Sequence, residues 1–157
     1  MTPKSLLRHL QATSSFDDFS QARFQPVITG ILDESHAAKR VVLCSGKIYY
    51  DLEKKRRELN RMEVPIIRIE QLYPFPDEAI NSALDPYPDD VSLVWAQEEP
   101  ENMGAWWYLN LKFRRTLFKN RAVSVVSRKA SASPATGSAM RHKEQQERLL
   151  AVVFDIL

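Results

Sequence analysis

Apolar runs of strand length recur at Val27–Thr29, Val41–Cys44, Ile66–Ile69, Val91–Ala96 and Ala122–Val126. Between most of them lie polar, helically patterned stretches of roughly a dozen residues or more. Antiparallel neighbours need only a tight turn between them, whereas parallel strands need a crossover of about that length. The alternation therefore predicts an α/β fold, with helices laid over a largely parallel sheet.

The first crossover reads as a helix from Gly46 to Asn60, with Ile48, Leu52 and Leu59 on one stripe. The basic run Lys54-Lys55-Arg56-Arg57, mixed with Asp51, Glu53 and Glu58, falls on its solvated face. The second helix opens at Pro76, ahead of Asp77 and Glu78, and runs to Leu84, where Pro86 and Pro88 stop it. The third spans Ala105 to Phe118 and offers Leu109, Leu111, Phe113 and Leu117 to the core. The last follows Gly137 and reaches Phe154, with Leu149, Leu150, Val153 and Phe154 packed inward. Residues 1–25 differ in kind: Thr2 to Leu10 reads as an extended lead-in, and Ser14 to Phe19 as a short capped helical turn with Asp18 at its amino end. Residues 26–157 then form one α/β domain.

With 44% hydrophobic residues in 157, such a domain buries a continuous core without staples. Charged residues make up 27%, but the net charge is only +2, and no basic stripe of the kind that neutralises phosphates stands out, so nucleic acid is not an expected partner. Cys44 has no second cysteine to pair with and sits in an apolar run, which argues for a buried thiol in a reducing compartment. No run approaches the roughly 18 apolar residues that span a bilayer, and Met1-Thr2-Pro3-Lys4 is unlike a signal peptide. The expectation is a soluble, cytoplasmic chain with no membrane partner.

Several clusters carry possible chemistry. Glu98-Glu99 and Glu101 follow the fourth apolar run, where paired carboxylates serve either as acid, base or cation ligands, or as a salt bridge and a helix cap. Ser45-Gly46-Lys47 opens a helix after a strand; it lacks the full phosphate-loop pattern and reads either as a generic anion site or as a tight turn. In the small-residue loop from Ala130 to Ser138, Ser131, Ser133 and Thr136 follow Arg128 and Lys129, a composition that suits an anion cradle or a tightly packed connection capping the last helix. Trp106, Trp107 and Tyr108 are consecutive, and one helix face cannot bury all three, which predicts an interface. His9, His36 and His142 show no metal-ligand spacing, so no metal site is expected.

Taken in order, Val41–Leu52, Ile67-Arg68-Ile69-Glu70-Gln71-Leu72-Tyr73-Pro74-Phe75-Pro76, Trp95–Trp106 and Ser131–Gly137 resemble the carboxy-terminal domain of thiamine-diphosphate-dependent 2-oxoacid dehydrogenases. More narrowly, the chain resembles the end of the decarboxylating component of bacterial 2-oxoglutarate dehydrogenase, from Thr2 to the final helix. The resemblance implies a transketolase C-terminal-domain-like fold: a three-layer α/β/α sandwich on a five-stranded mixed sheet, order 1-3-2-4-5, first strand antiparallel. It also implies that the chain is a fragment, Met1 being internal to a longer parent that passes a succinyl group from 2-oxoglutarate to a lipoyl arm. Alternatives are a 2-oxoadipate dehydrogenase parent or a stand-alone binding module on the same fold.

The same resemblance implies thiamine diphosphate and Mg in the parent, held by a Gly-Asp-Gly motif and an activating glutamate. The glycines here are Gly30, Gly46, Gly104 and Gly137, and none lies in such a motif, so the chain is expected to hold no catalytic or cofactor-binding residue. Implied partners are the parent's own amino-terminal and middle domains, a homodimer mate and the dihydrolipoyl succinyltransferase component. If the strand order is the family's, the ends of strands two and four frame a crevice lined by Ser45, Gly46, Lys47, Gln97, Glu98 and Glu99. Its mixed charge suits a domain contact or a zwitterionic effector. Relative to the family's pattern, Met103 stands where a glutamine usually precedes Gly104, which removes a side-chain amide from the acidic loop.

Overall fold

The computed structural model describes residues 3–20, 23–30, 38–113 and 121–154. Five strands, β1 (Val27–Thr29), β2 (Arg40–Cys44), β3 (Ile66–Ile69), β4 (Ser92–Pro100) and β5 (Val123–Arg128), form one sheet in the order β1-β3-β2-β4-β5. β1 runs antiparallel to β3, with Val27 opposite Ile69, and the other neighbours are parallel. The order and the antiparallel first strand agree with those expected.

Strand side chains alternate between two cores, as a period of two dictates. Val41, Leu43, Ile67, Ile69, Leu93 and Trp95 point to one face, where they meet Ile80, Ala83 and Leu84 of α3 (Asp77–Leu84) and Trp106 and Leu109 of α4 (Trp106–Phe113). Val42, Cys44, Ile66 and Ala96 point to the other, against Ile48 and Leu52 of α2 (Ile48–Glu58) and Leu149, Leu150, Val153 and Phe154 of α5 (Ala139–Phe154). The result is the three-layer sandwich. In the lead-in, α1 (Phe16–Ser20) is capped reciprocally: Ser15 N donates to Asp18 Oδ2 at 2.8 Å and Asp18 N donates to Ser15 Oγ at 3.2 Å.

Four local expectations need correction. β4 does not stop at Ala96 but continues through Glu98 and Glu99 to Pro100, across an irregularity that leaves Pro100 opposite Arg128. In α2 the basic run is not wholly solvated: Arg56 turns inward onto Glu53, with Nη2 at 2.7 Å from Oε2, and both side chains are buried. Leu59, expected inside, is instead 45% exposed beyond the helix end. In α4, Leu111 is 60% exposed because Trp106 and Leu109 occupy the inward face, and residues 114–120, including Leu117, lie outside the described residues.

Two arginines seal helix ends. Arg40 donates to Val153 O at 2.7 Å in the last turn of α5, and Arg121 donates to Leu84 O at 3.1 Å at the end of α3 and to Tyr87 O at 2.7 Å just beyond it.

Candidate functional site

The topology switches between β2 and β4, and their carboxyl ends do frame a crevice of about 540 Å³. Ser45, Gly46, Lys47, Gln97, Glu98 and Glu99 all line it, with Gly104 on its wall and Pro3 of the lead-in reaching its rim. Gly46 sits at φ +74°, the left-handed turn that swings the chain from β2 into α2 and brings Lys47 over β4. The Lys47 ammonium is hydrogen-bonded to Glu98 Oε1 and lies 3.8 Å from Asp51, so the cation is neutralised from within the fold. Glu99, by contrast, is exposed.

Gln97 does different work from its neighbours. Its side chain turns into the protein, where Oε1 accepts from Trp95 Nε1 at 2.9 Å and from the Trp106 backbone N–H at 3.1 Å. Its Nε2 donates to Met103 O at 2.8 Å and Pro100 O at 3.1 Å. This one amide shapes the acidic turn and positions the start of α4. Met103 joins this turn through its backbone alone, donating its N–H to Pro100 O at 2.8 Å and accepting from Gln97 Nε2.

The second cluster, Arg128, Lys129, Ser131, Ser133 and Thr136, also comes together, around a separate cavity of about 230 Å³ that Arg141 completes. Asn102 fastens this loop to the acidic turn: its Nδ2 donates to Ser131 O at 2.9 Å, and Ser131 N donates to its Oδ1 at 3.0 Å. The two clusters are joined by Gln146 of α5, which accepts from Arg128 Nη2 at 2.9 Å and donates to Asp51 Oδ2 at 3.0 Å and Glu98 Oε1 at 3.2 Å. Neither Asn102 nor Gln146 carries any sequence signal, since a lone amide in a polar stretch looks like any solvated residue.

Of the three consecutive aromatics, Trp106 is buried and Tyr108 packs edge-on to Phe75 at 6.1 Å between ring centroids. Only Trp107, 57% exposed, lies on the surface, in line with Leu111 one turn on. His9 packs against Tyr50 with the rings tilted at 51° and 5.0 Å between centroids, which ties the lead-in to α2. His142 is exposed, and His36 lies outside the described residues. Burial pushes the Cys44 thiol up to about 12, with Arg68 partly opposing the shift and Glu70 adding to it.

These residues do not fit a diphosphate held through a divalent cation. Glu98 is spent on Lys47 and Gln146, and among the described residues no group of three or more His, Cys, Asp or Glu is placed to hold a metal ion. No helix among the described residues is long and apolar enough to cross a membrane.

Residues 13–154 match the family described as 2-oxoglutarate dehydrogenase C-terminal. The chain is 48% identical over 152 residues to the 2-oxoglutarate dehydrogenase E1 component of Haemophilus influenzae, covering 96% of this chain and 16% of that protein. It is 42% identical over 156 residues to the protein of that name from Cupriavidus necator (98% and 16%) and 44% identical over 161 residues to that from Azotobacter vinelandii (99% and 17%). The chain thus spans about a sixth of the length of these relatives.

Proposed function

This chain belongs to the 2-oxoglutarate dehydrogenase C-terminal family, and from that premise we propose that it is the assembly and regulatory domain of a 2-oxoglutarate dehydrogenase E1 component. The observation that carries the reading is the match across residues 13–154, which takes in all five strands of the sheet. The parent would oxidatively decarboxylate 2-oxoglutarate in the bacterial cytoplasm with thiamine diphosphate and Mg, passing the succinyl group to the lipoyl arm of a dihydrolipoyl succinyltransferase. The cofactor chemistry belongs to the parent's other domains, because the crevice carboxylate Glu98 is engaged with Lys47 and Gln146 and its neighbour Glu99 is exposed.

What this domain contributes is contact. The crevice beside Lys47 and Glu98 is internally neutralised and touched by Pro3, so it receives neighbouring polypeptide better than a charged substrate. Trp107 and Leu111 form an exposed apolar pair suited to a homodimer mate or a sister domain.

A chimera tests the proposal. This chain replaces the matching segment of the Haemophilus influenzae E1 component, and decarboxylation of 2-oxoglutarate and dimer mass are measured beside the same protein truncated before that segment. The chimera is expected to remain dimeric and active and the truncated protein to lose both properties. An active, dimeric truncation, or a folded chimera without activity, overturns the reading.

A further inference from the structure

We propose that the cavity between the end of β5, the loop 129–138 and the first turn of α5 is a phosphate-binding pocket. It is independent of the parent's reaction. Arg128, Lys129 and Arg141 all line this cavity of about 230 Å³, and no carboxylate does. Among the described residues none of the three forms an ion pair with a carboxylate, whereas Lys47, Lys55, Arg56, Arg57 and Arg68 do.

Arg128 is the decisive residue. The residue is only 9% exposed, its Nε is buried without a hydrogen-bond partner, and the neutral Gln146 meets its Nη2. A guanidinium removed from water without an anion is costly, and a bidentate oxyanion relieves that cost better than any other small partner. Lys129 and Arg141 supply two further positive charges from the loop and the helix. The amino end of α5, a helix of 16 residues, adds the positive pole of its dipole on the same side.

Size narrows the ligand. The pocket is below the about 300–1,000 Å³ of sites that hold a drug-sized molecule, so it takes a small anion or the phosphate end of a larger one. Next to it, sharing Arg128, Lys129 and Gln145, lies a cavity of about 360 Å³ with an apolar side of Val125, Val126, Leu149 and Val152 and with Glu101, Ser127 and Arg148 completing its lining. An organic phosphate would set its ester oxygens on Arg128, Lys129 and Arg141 and its carbon skeleton on that apolar wall.

The test titrates inorganic phosphate and n-butyl phosphate into the 157-residue chain, by calorimetry and by the side-chain Nε–H resonance of Arg128. Saturable binding at low-millimolar concentration or tighter is expected, with a shift of that resonance. Replacing Lys129→Ala and Arg141→Ala together, both exposed and harmless to the core, should weaken binding about tenfold or more. The control pair Lys54→Ala and Lys143→Ala removes the same charge elsewhere and should leave it unchanged. Tighter binding of the butyl ester assigns an organic phosphate and equal binding assigns the free ion. Absence of saturation, or equal weakening by both pairs, overturns the pocket.

Discussion

Gly104 and Gln97 fix each other's positions: a Cβ at Gly104 would lie 3.1 Å from Gln97 Oε1 and 3.2 Å from its Nε2, and Gly104 itself sits at φ +68°. The acidic turn therefore closes over a buried amide that only glycine can approach so nearly. Gly104→Ala should cost about 1–3 kcal/mol, from left-handed backbone strain and displacement of the amide together. Gln97→Leu removes the acceptor of the Trp95 and Trp106 N–H groups and the side-chain donor to the Met103 carbonyl, while the Pro100 carbonyl keeps the Met103 N–H at 2.8 Å, and should cost about 2–4 kcal/mol. Urea unfolding midpoints at constant m-value check both, and a loss below about 0.5 kcal/mol in either variant contradicts the role given to this turn.

The α2 ion pair behaves differently from the surface pairs around it. Glu53 and Arg56 are both buried; Nη2 and Oε2 approach to 2.7 Å without N–H alignment, so their attraction is coulombic rather than a well-formed hydrogen bond. Glu53→Gln strands the buried Arg56 charge and should cost about 3–5 kcal/mol, whereas Arg56→Met leaves Glu53 with Arg57 Nε at 2.8 Å and should cost less. The double variant Glu53→Leu with Arg56→Met should recover much of that loss. A double-mutant cycle in chemical denaturation measures it, and additive losses would show that the charges do not need each other.

The sheet was legible in the sequence because Val41–Cys44 and Ile66–Ile69 are apolar on both faces, as strands covered by two helical layers must be. The inward end of α5 was legible for the same reason. Less visible was the run of β4 through Glu98 and Glu99, since its last residues are held by Gln97 and by pairing to Arg128 rather than by burial of their own side chains. The phase of α4 was hidden too: three successive aromatics give no periodicity, and packing chose Trp106 with Leu109 for the core and left Trp107 with Leu111 outside. Ser45–Lys47 and Gln97–Glu99 line one cavity and the 128–136 residues another, but Gln146 and Asn102, which tie these segments together, emerge only when distant parts of the chain meet.

Gln146 gives a third prediction. Its amide separates the Arg128 guanidinium from the carboxylates of Glu98 and Asp51 while bonding to all three. Gln146→Leu leaves Arg128 with no side-chain partner and should cost about 1–3 kcal/mol. Lys47→Ala should cost at most about 1 kcal/mol, because Lys47 and Glu98 are 30% and 21% exposed and water reaches both. Thermal unfolding of the two variants side by side is the measurement, and the reverse ranking would make the crevice, rather than the α5 bridge, the stabilising feature.

The last prediction concerns alkaline pH. Cys44 is buried and its thiol titrates near about 12 in the fold, against an ordinary value of 9.0, because burial disfavours the thiolate. Since the folded value is the raised one, the unfolded chain loses this proton first: the contribution to stability is intact below about 9 and is lost as pH climbs towards about 12. Tyr49 and Tyr87 are raised as well, by burial first, and steepen the same loss at the upper end. Cys44→Ala should therefore lower stability near neutrality, where a packed thiol is removed, yet flatten the decline above pH 9. A series of urea melts from pH 7 to 11 on both proteins reads the difference in slope. The thiol should also react with a disulfide reagent at pH 8 far more slowly in the folded chain than in urea, because burial both hides it and disfavours the thiolate. Parallel pH slopes, or rapid labelling of the folded protein, would place Cys44 in contact with solvent and refute its position between β2 and the helices above it.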